Sequence, residues 1–145
     1  MPLWGGTSNG LLDGLQVLQN RAARLVTKLG IRTPVKILLT QCGWLSVRQL
    51  VAYHTLVFVY KSKMGLGSQY FKDKFSITFG HETRLATGGG IKLTKMSDSE
   101  LGKESFSYRG IKLWNKLPSE LRKVPTVIAF KRKLKKWIRT HTPVK

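Results

Sequence analysis

Between Thr126 and Ile138 the chain reads TVIAFKRKLKKWI, and this pattern leaves few options for folding. Val127, Phe130, Leu134, Trp137 and Ile138 recur at helical spacing, so at about 100° per residue they fill one arc of a helix. Lys131, Arg132, Lys133, Lys135, Lys136 and Arg139 fill the rest. Thr126 is placed to cap such a helix, and Pro125 discourages one from running through from upstream. The apolar arc requires a core to cover it. The basic arc requires an anionic partner.

The whole chain repeats that requirement. Its formal net charge is +19, with no acid between Asp13 and Asp73 and none after Glu120. Such a surplus repels itself in a compact state unless something anionic neutralises it, and nucleic acid is the first candidate. With 145 residues and 41% hydrophobic content, the chain suits one domain with a real core rather than global disorder. Cys42 is the only cysteine, which excludes an intrachain disulfide and a cysteine-based zinc site and fits an intracellular, reducing setting. The segment MPLWGGTSNG has neither the charged nor the apolar region of a secretory signal. The longest apolar run, Leu50 to Tyr60, is interrupted by His54 and Thr55 and falls short of the ~20 residues that span a bilayer. Integral membrane association is not expected.

In chain order, residues 1–10 read as a glycine-punctuated loop. Leu11, Leu15, Leu18, Ala22, Leu25 and Leu29 then form one helical stripe, expected to pack on the core, with Gly30 as the stop. Arg21, Arg24 and Lys28 form a second stripe, either a solvated edge or a phosphate contact. Thr33 before Pro34 predicts a capped short helix from Pro34 to about Gln41, ended by Gly43. Ser46 can cap a helix from Val47 to about Met64. Its β-branched and aromatic middle also suits a strand, but strands usually run about 5 to 6 residues, so length decides for helix. This is the expected central core helix, with His54 a packed residue. A short helix from Gln69 to about Phe75 follows.

Residues 76–103 change character, with Gly88, Gly89 and Gly90 in a row and four of the seven acids in or beside them. They read as a flexible linker loop with at most one short strand, Ile91 to Met96. Helix resumes from Ser105 to Leu117, carrying Phe106, Ile111, Leu113, Trp114 and Leu117 inward. Pro118 interrupts it, and Ser119 to Val124 gives one further turn. Trp114 is expected to be buried against the 47–64 helix; an exposed Trp114 would instead suit base stacking. The fold class is therefore mainly α: a small helical domain with a long glycine-containing loop and room for one short strand or hairpin. Its parts are N-terminal helices in 1–75, the linker 76–103, and a C-terminal helical unit in 104–145.

The segment SFSYRGIKLWNKLPSELR followed by FKRKLK resembles the far C-terminal part of reverse transcriptases from non-LTR (LINE-type) retrotransposons. Earlier blocks agree in order: PLWGG, LQVLQNRAARLVT, TPV, WLSVRQL and YKSKMG, together covering roughly residues 2 to 139. The resemblance implies a piece of such a polymerase, beginning within or just after its thumb, with fingers and palm lying outside these 145 residues. It implies RNA or DNA backbone as partner, together with the polymerase core if the chain is part of a longer polyprotein. The Tyr-x-Asp-Asp of the polymerase site is absent from the sequence, as is any other close aspartate pair on a strand that could hold two metal ions.

No other catalytic constellation replaces it. His54, His81 and His141 lie in different segments, without the serine or cysteine and carboxylate partners of nucleophilic catalysis. His81-Glu82 lacks the second histidine of a zinc hydrolase, and the triple glycine lacks the spacing and Lys-Ser/Thr of a phosphate loop. No catalytic residue, metal site or cofactor is expected. The predicted nucleic-acid contacts are Arg21, Arg24 and Lys28 with Lys131, Arg132, Lys135, Lys136 and Arg139. KRKLKK also resembles a nuclear-import patch, so the expected location is intracellular and nuclear. Two other readings stand beside this one: a membrane-surface protein using the basic amphipathic helix, and a non-functional remnant of a truncated element.

Overall fold

A computed structural model describes residues 9–67, 90–91 and 106–141. The described residues form helices α1 (Asn9–Thr27), α2 (Val35–Gln41), α3 (Val47–Lys63), α4 (Phe106–Asn115), α5 (Ser119–Arg122) and α6 (Val127–His141). The mainly helical fold is thus the expected one. Helix α3 is its axis: α1, α4 and α6 each pack against it, and α2 leans on α1.

Local signals explain where α3 starts and stops. Ser46 Oγ accepts the Gln49 N–H while Gln49 Oε1 accepts the Ser46 N–H, a reciprocal capping box that satisfies two otherwise orphaned donors. At the far end Gly65 adopts φ 76, which lets the Leu66 N–H reach the Lys61 carbonyl and close the last turn. Helix α2 ends the same way on Gly43 at φ 66, with the Trp44 N–H on the Leu39 carbonyl at 2.9 Å. A side chain at either glycine would sit in the left-handed region that L-residues avoid.

The core is aromatic at its centre. Tyr60 of α3 stacks on Phe130 of α6 with centroids 4.2 Å apart and planes 12° from parallel. Trp114 of α4 closes the group at 6.3 Å from Tyr60 and 5.8 Å from Phe130. All three are buried, and the Tyr60 hydroxyl donates to the Val124 carbonyl at 2.7 Å, so no polar atom of that ring is stranded. Leu56, Val59, Ile111, Leu117, Leu134 and Ile138 fill in around them. Trp114 therefore sits where it was expected, against α3.

Four expectations need correction. Thr33 does not cap α2; Pro34 occupies the cap position without a side-chain bond, and the Thr33 N–H closes a turn onto the Gly30 carbonyl. The chain leaves α1 before Gly30, because Lys28 itself turns left-handed at φ 55. That earlier turn lets α2 fold back onto α1. The leucine stripe of α1 does not face the core: Leu11, Leu15, Leu18 and Leu25 are exposed, the last at 81%. The face turned inward carries Leu12 and Ala23 with Gln16 and Gln19 between them. Gln16 Oε1 accepts the Val47 N–H and Gln19 Nε2 donates to the Leu45 carbonyl, each at 2.8 Å. These bonds satisfy backbone groups at the start of α3, and they keep half-buried Gln16 and Gln19 on the inward face beside buried Leu12 and Ala23. Finally, His54 is exposed rather than packed, its ring edge-on to Tyr53 at 5.3 Å.

Within the expected linker, Gly90 and Ile91 are buried. The Asn115 amide grips Ile91 on both sides, accepting its N–H at 2.9 Å and donating to its carbonyl at 2.8 Å. Ile91 is thus an apolar anchor in a segment that reads as having few. The rest of 76–103, with residues 92–96 of the expected strand, and the expected helix over 69–75 lie outside the described residues.

Two substitutions test this packing. Trp114→Ala should lower unfolding free energy by ~3 to 5 kcal/mol, the range for deleting a buried aromatic; an unchanged urea midpoint would contradict the core described. Asn115→Ala should cost about 2 kcal/mol by stranding the Ile91 amide and carbonyl. It should also speed tryptic cleavage at the adjoining Lys92, measured by mass spectrometry against time.

Candidate nucleic-acid interface

Helix α6 is held by its apolar arc. Phe130, Leu134 and Ile138 are fully buried and Val127 and Trp137 partly so, while Thr126 Oγ1 accepts the Ala129 N–H at 3.3 Å to start the helix. That seating fixes what faces outward. Lys131, Arg132, Lys133, Lys135, Lys136 and Arg139 are all exposed. Arg139 already has a structural task, since its Nη2 donates to the Gly43 carbonyl at 2.6 Å and ties the end of α6 to the α2–α3 turn.

The three cations of α1 are placed differently. Arg21 and Lys28 are exposed, but Arg24 is half-buried, with its Nε enclosed and without a hydrogen-bond partner. At 100° per residue Arg24 points about 160° away from Ala22. Ala22 is on the side of α1 that faces α6 across a groove. Arg24 is thus turned away from the groove, while Arg21 in α1 and Lys28 just beyond its end stand exposed.

The groove itself was not anticipated. It encloses about 480 Å³, with Gln19 and Ala22 of α1 on one bank and Lys135 of α6 on the other. Its floor is Leu50 and Tyr53 of α3, and the α2–α3 turn adds Gly43, Trp44 and Leu45. Burial raises the Tyr53 phenol above its ordinary 10.0, so the ring stays neutral at physiological pH. Trp44 remains 38% exposed, whereas Trp114 has no exposed surface and cannot offer a face to a base. The sequence signal for Trp44 was its position directly after Gly43, where a left-handed glycine turns the chain out of a helix.

Among the described residues the acids are Asp13 and Glu120. Asp13 pairs with Arg48 at 2.8 Å on the opposite end of α1. Among the described residues no group of three or more His, Cys, Asp or Glu side chains could hold a metal ion, and no helix is long and apolar enough to cross a membrane. Comparison with protein-family models, curated proteins and solved structures finds no match. Chemically, the arrangement is an acid-poor cationic helix beside an apolar, aromatic groove.

Lys28 couples site and stability. Holding a lysine at φ 55 costs about 1 kcal/mol relative to glycine. Lys28→Gly should accordingly raise the unfolding free energy by about that amount. A loss of stability on denaturant titration would show that the lysine side chain contributes more than the backbone strain removes.

Proposed function

We propose that the chain binds RNA or DNA through backbone phosphates, without sequence selectivity and without catalysis of its own. The observation that carries this reading is α6: Phe130, Leu134 and Ile138 seat it in the core while six cations within nine residues stand exposed. Cations held in such an array neutralise phosphates and release condensed counterions, which gives affinity but does not read sequence. The resemblance to a non-LTR retrotransposon reverse transcriptase supplies the setting. In that setting the chain is a segment lacking the polymerase aspartates, and it holds template or primed target beside a polymerase core, in the nucleus.

Burial also bears on the alternative. An interfacial helix must place its apolar face in lipid, and the apolar arc of α6 is occupied by Tyr60 and its neighbours. The membrane reading moves instead to α1, where exposed Leu11, Leu15, Leu18 and Leu25 run beside Arg21 and Lys28. Phosphatidylserine vesicles separate the two. Vesicle binding that Leu15→Gln with Leu18→Gln abolishes, together with no RNA binding at low salt, would replace the nucleic-acid reading.

The direct test is salt dependence with single-stranded RNA. About five phosphate contacts give a slope of log K against log salt near −3.5, at ~0.7 per phosphate. Lys131→Gln, Lys135→Gln and Lys136→Gln combined should weaken all sequences alike and flatten the slope by about 2. Arg139 is left in place because its bond to Gly43 supports the fold. A folded triple variant with unaltered affinity and slope would remove α6 from the binding surface.

A further inference from the structure

The α2–α3 turn and helix α3 deliver two aromatic rings, Trp44 and Tyr53, to one groove whose rim carries Lys135. Trp44 is not on a loose loop. Its N–H is bonded to the Leu39 carbonyl at 2.9 Å, and the next residue, Leu45, is buried, with its carbonyl held by Gln19. The turn is pinned again from α6, by Arg139 on the Gly43 carbonyl. An indole kept 38% exposed on so firmly anchored a backbone is a presented surface rather than a frayed one.

The chemistry of the lining narrows the ligand. Leu45 and Leu50 make the lining apolar. The Gln19 amide is already engaged, donating to Leu45 and accepting from Gln16 at 2.9 Å. The groove therefore offers mainly ring faces and apolar area, with the Tyr53 hydroxyl and the Trp44 indole N–H as polar handles on the rings. Its volume of about 480 Å³ falls within the roughly 300–1,000 Å³ of small-ligand sites, enough for a nucleobase and part of its sugar. Lys135 adds a positive charge to the lining, which suits a phosphate attached to such a base.

We propose that this groove takes an unpaired base of a single strand, stacked on Trp44, with its adjoining phosphate held by Lys135. The inference rests on the backbone-binding function proposed above and adds strand selectivity to it. Every base has a π face, so stacking is tolerant of sequence, but a duplex keeps its bases stacked on each other and has none to offer. The α6 cations would then grip either form, while the groove favours the single strand.

The test compares short oligo(U) with an RNA duplex of equal length, by fluorescence anisotropy on the full chain, using Trp44→Leu and Trp44→Phe. Leucine keeps the site apolar but removes the π face; phenylalanine keeps one. The expected result for Trp44→Leu is a roughly tenfold loss of oligo(U) affinity, the lower part of the range for base–aromatic stacking. Duplex affinity and the salt slope should stay unchanged, and Trp44→Phe should retain most of the oligo(U) affinity. Thermal melts of both variants accompany the titrations. Equal losses for oligo(U) and duplex would assign Trp44 a structural role and overturn the inference, as would unchanged oligo(U) affinity in Trp44→Leu. If the wild-type chain binds duplex and oligo(U) equally, the groove is not a base site although the phosphate function stands. If it binds neither, the proposed function fails and this inference with it.

Discussion

The stack of Tyr60 on Phe130 is the contact on which the rest depends. It joins the last turn of α3 to the first turn of α6, and Trp114 wedges α4 against both rings. Aromatic side chains contribute more buried area than any others, and paired rings add about 0.5–1.5 kcal/mol beyond that area. The Tyr60 hydroxyl then fixes the Val124 carbonyl, which sets where the chain emerges from α5 into α6. With Phe130 seated, helical geometry dictates that Leu134 and Ile138 follow it into the core and that the lysines cannot. A cationic surface on α6 is thus a direct consequence of packing three rings.

Much of this was legible because it depends on local rules. The Ser46 cap, the glycine stops at Gly43 and Gly65, and the arc of α6 each need only neighbours in sequence. Trp114 was legible for a different reason: few other side chains could close so small a core. What the sequence concealed was tertiary. The leucines of α1 form a cleaner helical stripe than the residues that actually pack, and periodicity cannot show that Gln16 and Gln19 will bond the backbone at the start of α3. Two long-range hydrogen bonds outrank a hydrophobic stripe there because unsatisfied backbone groups beside a core are costly.

The same limit applied to the site. Counting cations along the chain treated Arg21, Arg24 and Lys28 alike, but packing half-buries Arg24 and leaves the other two exposed. Arg139 looked like one cation among six, yet it bonds a carbonyl on a turn that lies far from it in sequence. The groove could not be read at all, since its walls come from α1, α3, α6 and the α2–α3 turn. Ile91 is a further case: an isolated isoleucine after three glycines gives no hint that Asn115 will clamp it.

The account stands or falls on whether the outward face of α6 is the surface that meets nucleic acid. Lysine acetylation footprinting with and without bound oligo(U), read by mass spectrometry, addresses this residue by residue. Lys131, Lys133, Lys135 and Lys136 should lose reactivity on binding, while exposed Lys112, Lys116 and Lys123 on and around α4 and α5 keep theirs. Protection spread evenly over all these lysines, or confined to those of α4 and α5, would contradict the account.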